Sequence, residues 1–508
     1  MVQGNNVLPS FGGTPHFFDQ QTTVSLGAER RRARSFTARG SKTMKTVTYG
    51  LSALGLTLLA ATSLPAAPVQ KDQPVRATGK VRASLADGRF EGQVCVEARP
   101  PATAKTFVLN AGLNVARVTD GSGKPVSFTG WFDPEVDGEA RVYTLEDAPA
   151  TMCVSYVGAF PVYAERDAPT DFKGLIAFNG DSVRASEQAV WFPAPFDPVL
   201  KTRVDVMAYD LEIACDGCRF LYMNGSGATK GPVAQFRSEL ARPLLLFGGT
   251  GPLTRTGGLT ILNQSVTAAQ QAALADHFSG IRAFYGSYLG QPLADEPTLL
   301  RMVTLNQVDR DRRESSWGFA TWPTIALSGS VGAIGDALLA GGEKAEMYAA
   351  YLSHETAHYY FGTLTRPTGP YAWLLLESTA QFLSIKAEQA ILGEDAASRQ
   401  VAQLRKAIEK QPQAFVALDE ITASSQIDGD YRYNYGPLLL LSLERAVGEA
   451  QMRMFMRRLL SAPPIHRWSD IAELAVQSGI KPETWDRWRA ECVAGGTRAC
   501  VGTVTAAL

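Results

Sequence analysis

Histidine is scarce in this sequence, at 5 in 508 residues. None lies between Val75 and Asn263 and four of the five lie beyond it, so a site built on several histidines must come from the second half. An excess of either charge is also missing. The 49 Lys+Arg nearly balance 50 Asp+Glu, for a formal net charge of -1. That removes any bulk electrostatic reason to hold nucleic acid. Internal repeats and low-complexity tracts are absent. A composition of 45% hydrophobic and 19% charged residues excludes collagen-like and disordered classes. Long apolar runs are lacking too. The one membrane-like stretch, Leu51 to Ala61, is about half the roughly 20 residues that a bilayer span needs. No permanent membrane span is expected.

That stretch follows Met44-Lys45 and ends in the small residues Thr62, Ser63, Ala66 and Ala67. One positive charge, a short apolar core and a small-residue end describe a secretory signal peptide. Met44 is the expected start, with cleavage near Ala66 or Ala67, so residues 1–67 are leader and signal. Six cysteines remain beyond it: Cys95, Cys153, Cys215, Cys218, Cys492 and Cys500. An even number in an exported chain points to disulfides, with 15 possible connectivities. Proximity favours Cys215–Cys218 and Cys492–Cys500, which leaves Cys95–Cys153. The pair around Asp216-Gly217 has no second such pair to complete a zinc knuckle, and reads as a hairpin staple.

Two textures divide the rest. From Val75 to Asn263, short runs of alternating apolar and polar residues are punctuated by Asp120-Gly121, Asn179-Gly180 and Asn224-Gly225. Antiparallel sheets in a sandwich-like arrangement are expected over 68–265. Near Thr267 the period changes to that of helices. Helices are expected over Thr267–Leu289, Glu343–Phe361, Ala372–Leu392, Ser398–Glu409, Tyr435–Val447, Ala450–Ser461 and Ser469–Ser478. Extended stretches at Thr298–Leu305 and Trp317–Leu327 interrupt them. Gly329, Gly332 and Gly335 read as a flexible loop. The fold class is α+β, with a mostly helical domain over 266–508.

The chemistry sits in that domain. His354-Glu355-Thr356-Ala357-His358 reads H-E-x-x-H. On a helix, positions i and i+4 share a face, so both imidazoles can meet one ion. Glu355 follows the first of them, within reach of a water on the metal. By residue frequencies the pattern is expected by chance roughly 0.003 times in such a chain. A zinc site of this kind needs a third ligand and an open position. Glu377 is the candidate, with eighteen residues between it and His358. It follows Leu374-Leu375-Leu376, and a carboxylate in apolar surroundings is costly unless paired or ligating. His277 and His466 have no partner at ligand spacing and read as structural or exposed.

The spacing H-E-x-x-H-x18-E resembles that of the M1 aminopeptidase-like zinc metallopeptidases, the gluzincins. His358-Tyr359-Tyr360-Phe361-Gly362 resembles the family's His-Gln-Trp-Phe-Gly. Trp373-Leu374-Leu375-Leu376-Glu377-Ser378 is similar to its Trp-Leu-Asn-Glu-Gly, with the tryptophan one place further off. The resemblance implies a β-domain before a thermolysin-like catalytic domain. It also implies one zinc ion per chain on His354, His358 and Glu377, with Glu355 as general base. Tyr433-Asn434-Tyr435-Gly436 resembles the family's Tyr-x-Lys-Gly, with Tyr435 in place of the lysine. Tyr433 would then stabilise the oxyanion, and Tyr431 is the competing candidate. Family aminopeptidases also carry Gly-x-Met-Glu-Asn ahead of Trp-Gly. Aligned on Trp317-Gly318, Ser315 replaces the amine-binding Glu, and Glu314 falls one place early. Glu314, Trp317 and Gly318 are the substrate-binding candidates. The expected function is therefore zinc-dependent hydrolysis of peptide bonds in peptides or proteins by an exported enzyme, as exo- or endopeptidase. The alternative is a metal-binding scaffold or interaction protein of the same fold that is weakly active or inactive.

Overall fold

A computed structural model describes residues 75–97, 105–133, 136, 140–162, 175–199, 201–302, 318–327 and 329–504. The expected leader and signal peptide, together with Glu314 and Trp317, lie outside these residues.

The first half is built from sheets. Six strands run in the spatial order Val233–Pro243, Val206–Asp216, Arg76–Ser84, Arg89–Glu97, Thr151–Ala159 and Asn114–Asp120. Alternation decides which face is buried. In Arg89–Glu97, Phe90, Val94 and Val96 are fully buried while their neighbours are not. These side chains share a core with Phe107, Leu109 and Val142 from a second, five-stranded sheet. Most pairings are antiparallel, but Arg76–Ser84 runs parallel to Val206–Asp216. A third sheet of five strands contains Phe220–Met223 and Leu246–Gly249. Cys95 lies directly opposite Cys153 on neighbouring strands, and the two are bonded. Cys215–Cys218 and Cys492–Cys500 are the other disulfides.

The fourth sheet positions the site. Its order is Leu253–Thr256, Leu259–Leu262, Thr298–Arg301, Thr324–Leu327 and Gly318–Thr321. Strands from both sides of position 265 therefore share one sheet. The pairing from Leu259–Leu262 to Thr298–Arg301 is parallel and needs a crossover. Helix α1 (Ala268–Leu289) supplies it, entered through a capping box of Thr267 and Gln270. Gly318–Thr321 is the terminal strand, antiparallel to Thr324–Leu327. The sheet is fastened to the β-rich half by buried polar contacts. Tyr222 Oη lies 2.6 Å from Thr324 Oγ1, and Asn224 Nδ2 donates to the Trp322 carbonyl at 2.9 Å.

Helices α2 (Val331–Ala340), α3 (Glu343–Ala357), α4 (Thr379–Ile391), α5 (Glu394–Glu409), α6 (Gly436–Val447), α7 (Glu449–Leu460), α8 (Trp468–Gln477) and α9 (Pro482–Trp488) complete the second half. Helix α2 corrects the loop expected at Gly329, Gly332 and Gly335. Ser330 caps it by accepting from the Ala333 amide at 3.2 Å. Gly335 is where α1 crosses closely, since a Cβ there would lie 2.7 Å from Gln270 Cβ. Gly335, which lowers helix propensity, is thus what lets the two helices touch. Among the described residues, no helix is long and apolar enough to cross a membrane.

Two buried carboxylates, one on α4 and one on α6, give the fold a pH dependence. Glu388 on α4 accepts from Ser353 Oγ, and its Oε1 lies 3.8 Å from His277 Nε2. Burial pushes its carboxyl up to about 7. Glu444 on α6 is also pushed up to about 7 by burial, against the opposing pull of Lys386 at 3.5 Å. The folded chain therefore holds protons that the unfolded chain releases above the ordinary 4.5. Their stabilising contribution is full below that value and is lost as pH rises through about 7. In urea titrations from pH 5 to 8 the carboxyls' share should fall by up to about 3 kcal/mol each, while His277, whose pKa burial lowers, contributes with the opposite sign. Glu388→Gln keeps an acceptor for Ser353, removes one titration and should flatten the slope. An unchanged slope would refute the assignment to Glu388.

Candidate metal centre

The motif occupies the last turn of α3. His354 is the basic residue of that turn, and His358 is the residue after its end. The carbonyl end of a helix carries partial negative charge, which favours a cation there. The chain then reverses at once. Gly362 has φ +146, and a Cβ would meet the His358 carbonyl oxygen at 2.9 Å. Glycine is the residue that tolerates both conditions.

Glu377 arrives from a separate element. Leu374–Ser378 forms a π-turn in which the Thr379 amide reaches back to the Leu374 carbonyl. The extra residue shifts the helix face before α4 begins. Glu377 is only 8% exposed, and His354 and Glu355 are 3% and 1% exposed. His354 Nε2 lies 3.2 Å from Glu377 Oε2, and His358 Nε2 lies 3.4 Å from the same oxygen. One ligand atom from each of the three residues falls within 4.8 Å of the others.

The outer ring nitrogens are committed elsewhere. His354 Nδ1 faces Gln381 Oε1 at 2.9 Å, and His358 Nδ1 faces the Phe361 carbonyl at 3.2 Å. Both partners are acceptors, so each Nδ1 can keep a proton while Nε2 turns to Glu377, and with a metal bound each Nε2 would be the ligand atom. Two imidazoles and a carboxylate, buried and convergent, are a donor set that zinc accepts, the ion taking the place of the protons on Nε2. Burial opposes the charge on Glu377, but the neighbouring His358 and His354 overcome it and hold the carboxyl well below the usual range. His358 is likewise pushed up to about 9, chiefly by Glu377 against the cost of burial.

Gln381 was not singled out by the sequence. Its signal is faint: a polar side chain four residues after Glu377, on the same helical face. Substituting Gln381 by Leu removes the acceptor for His354 Nδ1. Zinc affinity, read by chelator competition, should fall about 10–100-fold. Unchanged affinity would mean the contact does not orient the ligand.

Tyr433 lies on a second π-turn, Tyr431–Tyr435, with its ring centroid 6.2 Å from that of His354. Burial, and then the Glu377 charge, push its phenol far above the ordinary value, so it stays a neutral donor. Tyr431 is 1% exposed and packs edge-on against Phe415 and Tyr435, within the core. Arg432 stacks on Trp373 at 4.1 Å, tying the turn to the segment that precedes Glu377. Gly318 opens the terminal strand. A Cβ there would sit 2.0 Å from Tyr351 Oη, so the glycine lets α3 approach the sheet. Glu187 is a further buried carboxylate unmarked by sequence pattern. It comes from the β-rich half and accepts from Thr321 Oγ1 of that strand at 3.2 Å. His277 is buried with Nε2 3.3 Å from the Ala349 carbonyl, and His466 is exposed.

No protein-family model and no curated protein sequence matches the chain. Solved structures do. Yeast LTA4 hydrolase in complex with bestatin is 13% identical, with a TM-score of 0.59, over 84% of this chain and 70% of that one. A mutant of the M1 zinc metallopeptidase from Deinococcus radiodurans, bound to a Tyr-Ser-Ala substrate, is 15% identical. It superposes with a TM-score of 0.54 over 84% of this chain and 94% of that one. At such identity the likeness is one of architecture: sheets first, then a helical region around the fourth sheet. The chain has an M1 zinc peptidase-like fold.

Proposed function

We propose that this chain is an exported zinc metallopeptidase, with a β-rich domain over 68–265 and a catalytic domain over 266–508. The observation that carries the reading is the convergence of His354 Nε2, His358 Nε2 and Glu377 Oε2 on one point. Glu355 is buried one residue from the first ligand, and Tyr433 stands beside it. A zinc ion held by the three ligands would supply Lewis acidity and lower the pKa of a nearby water.

The remaining steps belong to the chain. Glu355 takes the proton of the attacking water and delivers it to the departing amine. Tyr433 keeps its proton and donates to the developing oxyanion. Among the described residues Gly318–Thr321 is the terminal strand of the fourth sheet, and an extended peptide backbone would lie along it. Three disulfides among the described residues support an oxidising compartment.

The test purifies the chain from about Pro68, measures zinc, and compares peptides with free and blocked amino termini. About one zinc per chain with cleavage supports the reading. Cleavage of free-amine peptides alone would define an aminopeptidase, and cleavage of blocked ones an endopeptidase. Zinc without cleavage of any peptide would replace the reading by a metal-binding scaffold, and absence of zinc would overturn the site.

A further inference from the structure

The two π-turns that carry Glu377 and Tyr433 meet at one hydrogen bond. Ser378, next to Glu377 and fully buried, donates its hydroxyl to the Arg432 carbonyl, next to Tyr433, at 2.8 Å. The need for this donor follows from the backbone. The Gly436 amide reaches back five residues to Tyr431. The donor that would next serve Arg432 belongs to residue 437, which is proline and has no N–H. The Arg432 carbonyl is thus released from the helical ladder, and a buried carbonyl requires a partner. Ser378 is that partner. Gly436 makes its approach possible, since a Cβ at 436 would lie 2.2 Å from Ser378 Oγ. Four residues interlock: the bulge leaves a carbonyl open, Pro437 keeps it open, Gly436 clears the space and Ser378 fills it.

We propose that Ser378 is a positioning residue, which locks the Tyr433 turn against the turn of the third metal ligand. The inference rests on the peptidase reading for its kinetic consequence, but not for the contact itself. Glu377 keeps two imidazole contacts besides its hydrogen bond with Tyr433. Loss of the Ser378 hydroxyl should therefore move Tyr433 and leave the ligand set in place.

The experiment uses the whole exported chain and four proteins: wild type, Ser378→Ala, Tyr433→Phe and the double variant. Ser378→Ala should lower kcat on the order of 10²-fold with little change in KM. In the Tyr433→Phe background the same change should cost no more than about threefold, because the positioned group is gone. The visible spectrum of the cobalt-loaded protein should be the same with and without Ser378→Ala. Equal losses in both backgrounds, or an altered cobalt spectrum, would overturn the proposal. Gly436→Ala approaches the contact from the other side and should reproduce the kcat loss, which covers the case of a Ser378→Ala chain that fails to fold. A readout independent of turnover is the fluorine resonance of 3-fluorotyrosine at position 433, assigned through Tyr433→Phe. It should shift in Ser378→Ala or Gly436→Ala. An unmoved resonance would refute the lock even if the chain cleaves no peptide, whereas a shift with no cleavage would refute only the peptidase reading.

Discussion

Glu355→Gln should abolish most turnover and leave the metal in place. General acid–base catalysis by a positioned side chain contributes about 10²–10⁴-fold, and the loss in kcat should fall in that range. The reasoning is one of shape and charge. Glutamine matches glutamate in size and keeps the side chain in its pocket, where Glu355 is 1% exposed. It has no basic oxygen to take a proton. The ligands are His354, His358 and Glu377, so zinc content should remain near that of the wild type. KM should change little, because the removed interaction acts only when a proton moves. The checking measurement is kcat and KM on a peptide amide, with zinc determined on the same preparation. A variant with full turnover would remove Glu355 from the role of base. A variant that loses zinc as well would show that the residue holds the site together instead.

How much of this was legible depends on whether the cause is local. The start of α1 is set by Thr267 and Gln270 within one turn and its end by Gly290, so sequence places both to within a residue. The two histidines are legible because helical geometry alone brings positions 354 and 358 to one face. Glu377 was legible as a carboxylate set in the apolar run Leu374-Leu375-Leu376, and the resemblance supported it, but nothing local says that it will fold back onto the histidines. The π-turns were not legible. An inserted residue in a helix is decided by what it packs against, here Ser378 against the Arg432 carbonyl. Helix α2 was missed for the same reason, because propensity counts its glycines as losses while Gln270 on α1 makes them a fit. The parallel pairing of Arg76–Ser84 with Val206–Asp216 joins residues more than a hundred apart and leaves no mark in either strand. Gln381 belongs with these: a polar residue on a helix shows its purpose only when a ring nitrogen arrives opposite.

Tyr433→Phe is expected to have the second largest effect. Removing one donor to a developing oxyanion typically costs about 10²–10³-fold in kcat, with KM nearly unchanged. The phenol suits the part because burial and the Glu377 charge both disfavour its ionisation. It therefore stays protonated across the neutral range and can donate throughout. The sign of the pH effect follows. The variant should lower the whole pH–rate profile without moving either limb, since Tyr433 does not titrate there. Tyr431→Phe is the control. Its ring is 1% exposed and packed between Phe415 and Tyr435, so kcat should hold while stability shifts. If Tyr433→Phe raised KM at constant kcat, the hydroxyl would be binding substrate rather than transition state. If Tyr431→Phe instead carried the kcat loss, the catalytic tyrosine would be the one two residues earlier. The π-turn would then have to reopen on binding to bring that ring out of the core.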